Sequence, residues 1–288
     1  MADNNFSLIN LDGFSELAKS LLDKLSTALG WVVTRETPKR LAVQAYIEDI
    51  KKGDFDPLTK AVLISNARKT ISEYSNQSAI VQHAIDNMKE NAKPEGINND
   101  WLLQFMDKAG RVSDTDFQMI WGKILAEESN SPGSMPRSLL HILERMDRID
   151  AERFSALCSF SVFVDDNGKK DYIPIIIQQR VKDYYKKGGI DHNALVDLCA
   201  LGLIEISIGL HAPGYASEYS FTPVDVQYFD KHYLFPPTVN SISVGNVIFT
   251  KTGQALCRAI EPEQKEDFFE QICIPFWELS LNQEKTED

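Results

Sequence analysis

The chain has 288 residues, of which 43% are hydrophobic and 25% are charged, with a formal net charge of −12. This length is enough for two domains with separate cores, and the acidic balance argues against a surface adapted as a whole to nucleic acid. No apolar run approaches the ~18–20 residues that span a bilayer, and the N-terminus lacks the basic start of a signal peptide, so we expect a cytoplasmic protein.

An amphipathic helix is predicted over residues 14–30. A second helix is predicted from Thr37 to roughly Lys51, before Gly53, and a third, long helix from Asp56 to about Asn91. We interpret the first as a packing or oligomer-contact helix. A membrane-surface helix is the weaker alternative, because acidic residues offset its lysines. The third helix, at about 45–50 Å, exceeds a compact domain. We therefore expect it to protrude, to kink or to pair with another protomer.

The middle of this long helix is polar and offers a possible interaction face. Its members are Arg68, Lys69, Glu73 and Gln77. The alternative is a solvated face without a partner. A turn-rich linker follows, and Asp100 is expected to cap the next helix.

Three helices and two corners are predicted between residues 113 and 160. Ser113 is the expected N-cap of the first helix, and Asp150 that of the third. Pro132-Gly133 is expected to end the first helix. Two carboxylates and a histidine lie near this corner, and we interpret them as a solvated helix end and an ordinary histidine rather than as an acid–base or metal cluster: Glu127, Glu128 and His141.

The segment carries a pattern of short motifs: Gln-x-x-Trp, Leu-Ala-x-Glu, Pro-Gly-Ser, Arg-x-Leu and Asp-Ala-x-x-Phe. The residues of this pattern are Gln118, Trp121, Leu125, Ala126, Glu128, Pro132, Gly133, Ser134, Arg137, Leu139, Asp150, Ala151 and Phe154. In this pattern the segment resembles an uncharacterised bacterial family, known only as a domain of unknown function. The resemblance spans roughly residues 10–260 and includes the helical N-terminal half. A weaker likeness, to the abortive-infection alpha proteins of phage defence, rests on Leu-x-x-Leu followed by Asp-Ala-x-x-Phe. Neither resemblance implies catalytic residues, and phage defence is an analogy.

After Phe160 the pattern changes to strands. Residues 161–164 read as a strand, and residues 172–177 read as an extended stretch in which Pro174 disfavours a central sheet position. Residues 228–237 read as an aromatic loop, in which Asp230 and His232 form the closest local acid–base pairing.

Residues 189–260 suggest a winged helix-like unit. A helix capped by Asp191 ends in Leu-Gly-Leu-Ile at residues 201–204, and Thr-x-x-Gly at residues 250–253 resembles the strand-to-helix corner of winged helix domains. A basic cluster precedes that helix and is a possible contact for a partner or for nucleic acid: Arg180, Lys182, Lys186 and Lys187.

The last 28 residues are acidic but carry recurring aromatic side chains, so the tail is expected to pack on the core or to dock on a partner. The cysteines show no Cys-x-x-Cys spacing, and Cys158, Cys199 and Cys257 are predicted core thiols. No phosphate loop, nucleophile elbow or zinc-binding helix motif occurs, and we predict no cofactor, metal or catalytic residue.

The sequence thus predicts an α+β protein with three parts. These are a mainly helical domain at residues 1–165, a winged helix-like domain at residues 166–260 and a tail at residues 261–288. We expect a non-enzymatic regulatory protein that associates with itself or binds a protein partner. The weaker resemblance suggests bacterial anti-phage defence as its setting. The alternatives are a winged-helix DNA-binding regulator and an effector enzyme whose site the sequence does not reveal.

Overall fold

The computed structural model describes residues 15–31, 40–166, 169–177, 182–206, 220–221, 225–236 and 242–278. The helices are α1 (Glu16–Leu29), α2 (Arg40–Lys52), α3 (Pro57–Asn87), α4 (Asn99–Ala109), α5 (Thr115–Asn130), α6 (Arg137–Arg145), α7 (Arg148–Ser159), α8 (Lys182–Lys187), α9 (His192–Leu201) and α10 (Lys251–Ala259). The strands are β1 (Ser161–Asp166), β2 (Lys169–Pro174), β3 (Ile204–Ile206), β4 (Ser220–Phe221), β5 (Asp225–Tyr228), β6 (Lys231–Leu234), β7 (Ile242–Ser243) and β8 (Val247–Phe249). The predicted α+β class is confirmed.

The chain forms two compact units, residues 1–140 and 141–288. The sequence predicts domain boundaries near residues 165 and 260. The division into two compact units does not test whether the predicted domains fold separately. The boundaries stay predictions.

The core of the first unit is built where α3 and α5 cross. Gly122 makes the crossing close, since a Cβ at this position would lie 2.3 Å from the His83 Cβ and 3.0 Å from the Ile80 carbonyl oxygen. Trp121 is fully buried beside Phe105, with ring centroids 5.2 Å apart. The Gln-x-x-Trp segment of α5 is therefore a packing element.

Helix ends follow the expected chemistry with small shifts in position. Gly30 ends α1 in the left-handed conformation, at φ 67°, as predicted. Three N-caps lie one to three residues from the predicted ones: Asn98 rather than Asp100, Asp114 rather than Ser113, and Asp147 rather than Asp150. In the last case Asp150 completes a capping box with Asp147, so both acidic residues are used.

A four-stranded antiparallel sheet with strand order β2-β1-β5-β6 lies in the second unit. Pro174 ends β2, which is an edge strand, as the missing proline N–H predicts. The aromatic loop prediction is wrong, because β5 and β6 form a hairpin. Its two-residue turn places Phe229 at φ 54°, without the glycine that usually signals such a turn.

The Leu-Gly-Leu-Ile and Thr-x-x-Gly segments meet in one corner. Strand β3 pairs antiparallel with β8, and the Thr250 N–H donates to the Leu203 carbonyl over 3.0 Å. The Thr250 hydroxyl accepts the Gly253 N–H at 3.0 Å and so caps α10. A Cβ on Gly253 would lie 1.9 Å from the Leu203 carbonyl oxygen, so only glycine fits there.

The tail packs on its own unit as far as residue 278. Phe268 and Trp277 are fully buried, and residues Phe268–Cys273 form a π-helix. The helical conformation continues through Pro275, contrary to the prediction that this proline limits it. The turn before the proline is wide, with the Ile274 N–H bonded to the Phe269 carbonyl five residues back.

Candidate interaction surface

Helix α2 and residues 57–72 of α3 form a helical hairpin, named here the arm. The arm has a small core of its own, because Ile47 and Ile50 of α2 are buried while Leu63 and Ile64 of α3 are half-buried. Residues 57–79 of α3 nevertheless include no buried side chain. Residues 57–72, about half of this helix, therefore bury less apolar surface than a helix packed in a protein core normally does.

Four large apolar side chains are exposed in the turn of the arm and on the parts of its two helices that flank the turn, and we call them the arm tip: Tyr46, Phe55, Leu58 and Val62. Ten large hydrophobic residues are exposed in the described part of the chain, and these four lie within 17 consecutive positions. Leu58, with 75% of its surface exposed, and Val62 are one helical turn apart on α3. Such a concentration marks an interaction surface more often than single exposed residues do.

The four residues of the predicted interaction face do not share one environment. Arg68 and Lys69 are exposed, and Lys69 lies 3.7 Å from the Glu73 carboxylate. Glu73 packs against the backbone at Gly110, where a Cβ would meet its side chain at 3.1 Å. The Gln77 side chain points inward. The exposed part of this helix lies nearer its N-terminus than the sequence suggested.

The polar middle of α3 is a hydrogen-bond network within the first unit. Gln77 donates to the Met106 carbonyl at 2.9 Å and accepts the Trp31 indole N–H at 3.0 Å. Asn76 donates to the Gly110 carbonyl at 2.8 Å and accepts from Gln118 at 3.2 Å. These bonds satisfy backbone groups at the corner between α4 and α5. These internal hydrogen bonds explain why Asn76 and Gln77 in the middle of α3 are polar, without a bound ligand.

Glu128 is buried, which corrects the prediction of a solvated helix end. Only 1% of its surface is exposed. One carboxylate oxygen accepts the Gly133 N–H at 2.7 Å, and the other accepts the Met135 N–H at 2.9 Å. Burial raises the pKa of this carboxyl, although the backbone N–H groups around it oppose the rise. The carboxylate thus holds the Pro-Gly-Ser corner in place, and His141 is an exposed residue of the other unit.

The structure describes only part of the predicted basic cluster. Lys186 and Lys187 are exposed at the end of α8; Lys182 begins that helix, and Arg180 lies outside the described residues. The turn that follows offers no free N–H pair, because Gly188 and Gly189 donate to carbonyls of α8. Helix α9 contains no Lys or Arg.

A cleft of about 380 Å³ lies beside Lys186 in the second unit. Two of its charged groups, Arg153 and Asp191, are bound within the unit. Arg153 pairs with Asp197 at 2.5 Å, and Asp191 accepts the Ala194 N–H as the N-cap of α9. That N–H holds the pKa of Asp191 below its usual range. The cleft therefore has balanced charges and carries no reactive group.

The second unit also contains two pairs of titratable side chains, His232 with Asp225 and Cys158 with Cys257. His232 approaches Asp225 across the β5–β6 hairpin, with Nδ1 3.1 Å from a carboxylate oxygen, and not its sequence neighbour Asp230. Cys158 and Cys257 are buried as predicted, whereas Cys199 is exposed, which corrects its assignment to the core. In the described part of the chain, no three His, Cys, Asp or Glu side chains are grouped as metal ligands.

No helix among the described residues is long and apolar enough to cross a membrane. No curated protein matches the chain, and no solved structure does. Residues 65–273 match a family described as a protein of unknown function, DUF2806. This match confirms the resemblance to an uncharacterised family; the motif pattern and the likeness to phage-defence proteins stay predictions. Because the match covers more than half of its length, the chain belongs to the DUF2806 family.

Proposed function

We propose that the protein is a non-enzymatic interaction protein that binds a protein partner through the arm. The observation that carries this proposal is the exposure of Tyr46, Phe55, Leu58 and Val62 on the arm, where residues 57–72 of a continuous helix include no buried side chain. Most helical stability in proteins comes from packing of an apolar face, and this stretch has only its small core with α2. A partner that packs against it supplies the missing burial.

The chemistry of the arm tip fits a protein surface. Burying a side chain such as Leu58 or Val62 contributes roughly 1.5–3 kcal/mol to association. Tyr46 and Phe55 add ring surface, and aromatic residues are enriched at the centres of protein interfaces. The tip is accessible because it lies at the end of the hairpin away from the α3–α5 core.

The test is a pull-down from an extract of the native host, with the tagged wild type and two tagged variants. The retained proteins are identified, and untagged copies of this chain are counted among them. We expect the double variant Leu58→Ser/Val62→Ser to lose the protein that the wild type retains. The matched control is Leu103→Ser/Val196→Ser, since these two residues are also exposed, with 59% and 45% of their surface accessible, and lie outside the arm. Retention that is equal in all three proteins would overturn the proposal.

We also propose that the second unit is winged helix-like and that it serves as a scaffold. The succession α8, α9, β3, β8 and the Thr250 corner support it. The alternative of DNA recognition is disfavoured because α9, the helix expected to enter the major groove, has no cation for phosphate and exposes Asp197.

Phage defence is the setting that the sequence resemblance suggests for this interaction. Asp150 and Phe154, which belong to that resemblance, have structural roles as a capping-box member and a buried residue. The setting is therefore tested through the arm. Phage plaques are counted on cells that express the wild type, on cells that express Leu58→Ser/Val62→Ser and on cells that lack the chain. We expect fewer plaques with the wild type only. Equal counts for cells with and without the wild-type chain contradict a role in phage defence.

A further inference from the structure

The arm differs from the rest of the chain in charge. Residues 40–72 carry six basic and four acidic side chains, a net charge of +2. Because the whole chain has a net charge of −12, the remainder carries −14. Two copies that approach through other surfaces therefore repel each other more strongly than two arms do.

The rim of the arm tip carries both signs of charge around an apolar centre. Residues 46–62 contain three lysines and four acidic residues, and Lys51 and Lys52 are exposed within a few positions of Asp54 and Asp56. A two-fold interface brings the same patch from each copy together, so it requires a surface that complements itself. A mixed rim meets that requirement, since lysines of one copy face carboxylates of the other.

The length of the arm also favours pairing at its tip. Residues 57–72 of α3 extend about 24 Å at the helical rise of 1.5 Å per residue. The Debye length is about 10 Å at 0.1 M salt. Two copies joined through their tips thus keep the α3–α5 cores of their first units farther apart than the distance over which exposed charges repel.

We propose that the partner of the arm tip is the arm tip of a second copy of this chain, in a two-fold symmetric pair. This inference rests on the proposed function and names its partner. The apolar side chains Leu58 and Val62 form the centre of the pair, and the charged residues between Glu48 and Lys60 form its rim.

The test is light scattering coupled to size exclusion on the pure full-length chain over a range of concentrations. We expect twice 32.5 kDa for the wild type and for Leu103→Ser/Val196→Ser, and a monomer for Leu58→Ser/Val62→Ser. Circular dichroism checks that the variants keep the same helicity. A wild type that stays monomeric up to about 100-fold above its lowest concentration overturns the inference.

A charge exchange tests the symmetry. Lys51→Glu/Lys52→Glu makes the tip acidic, and Asp49→Lys/Asp54→Lys makes it basic, so each variant alone is expected to lose pairing. Their mixture is expected to form a mixed pair. If neither variant changes the mass, the tip is not the interface.

The two proposals fail in different ways. A monomeric wild type that still retains a host protein through Leu58 and Val62 overturns self-pairing and leaves the proposed function standing. Retention that is insensitive to these residues overturns the proposed function itself.

Discussion

Thr250 donates its hydroxyl proton to the Gly202 carbonyl over 2.7 Å, across 48 positions of the chain. The same oxygen accepts the Gly253 N–H, so one side chain joins the end of α9 to the start of α10. The Leu-Gly-Leu-Ile segment at residues 201–204 and the Thr-x-x-Gly segment at residues 250–253 are therefore in direct contact. The helix-to-strand corner of the second unit depends on this contact.

Replacing Thr250 by valine keeps the shape of the side chain and removes the hydroxyl. We expect the free energy of unfolding to fall by about 1–3 kcal/mol, since a helix N-cap and a bond to a carbonyl are both lost. Urea denaturation measures the change. Thr250→Ser retains the hydroxyl and is expected to stay within about 1 kcal/mol of the wild type. A valine variant as stable as the serine variant contradicts the role of the hydroxyl.

Gly122→Ala tests the close crossing of α3 and α5. Alanine is better than glycine in an unconstrained helix by about 1 kcal/mol, so a stabilised variant would show that the helices have room to separate. We expect the opposite, a loss of about 1–3 kcal/mol from overpacking against His83. Thermal unfolding gives the sign. Met119→Ala, at an exposed position of the same helix, is the control with little expected change.

Glu128→Gln tests the buried carboxylate. The amide keeps one acceptor oxygen and places an NH₂ group where the other oxygen accepted a backbone N–H. One buried N–H, from Gly133 or Met135, is then left unpaired, at a cost of about 1–3 kcal/mol at neutral pH. Denaturant unfolding measures this cost. Glu127→Gln on the same helix serves as the control, and equal losses in the two variants would contradict the assignment.

The pH dependence of that difference has a definite sign. The folded-state pKa of Glu128 is raised above its ordinary value near 4.5, so the folded chain holds this proton more tightly than the unfolded chain does. The stabilisation that comes from the proton is fully present below the unfolded pKa. It is lost as the pH rises through the folded pKa. The stability advantage of the wild type over Glu128→Gln is therefore expected to be largest in acid, and unfolding at several pH values checks this. An advantage that grows with pH contradicts the raised pKa.

DNA binding gives a fifth prediction. At ~50 mM salt, where phosphate contacts are strongest, we expect no saturable binding of a labelled duplex in fluorescence anisotropy. Lys186→Glu/Lys187→Glu is expected to behave like the wild type. Binding that this double variant abolishes would restore the DNA-binding alternative.

The elements that the sequence predicts well are those with local signals. Asp56-Pro57 begins α3 because an acidic cap and a proline at the first helical position are both local chemistry. The inward role of Gln77 was not predictable, since its partners Trp31 and Met106 lie 46 and 29 positions away. The β5–β6 hairpin is not apparent from the sequence because Phe229 and Asp230 occupy its turn, where glycine is the usual signal.

The arm tip, too, was predictable only in the part that depends on local sequence signals. That the long helix exceeds a compact domain could be read from its length, and the structure adds which end is exposed. The sequence placed the interaction face around Arg68 to Gln77, but the apolar arm tip lies before it. Alternation of half-buried and exposed positions along α3 depends on α2, so periodicity in α3 alone could not identify the exposed face.

The C-terminal segment has a consequence for synthesis of the chain. Tyr228 accepts the Lys265 N–H, Tyr184 donates to the Glu266 carbonyl, and the rings of Phe160 and Phe268 are in contact. The core of the second unit is thus completed by residues that follow its first strand by about 100 positions. During translation, the buried surfaces of Phe160 and Tyr228 therefore stay without these partners until residues 265–268 have been synthesised.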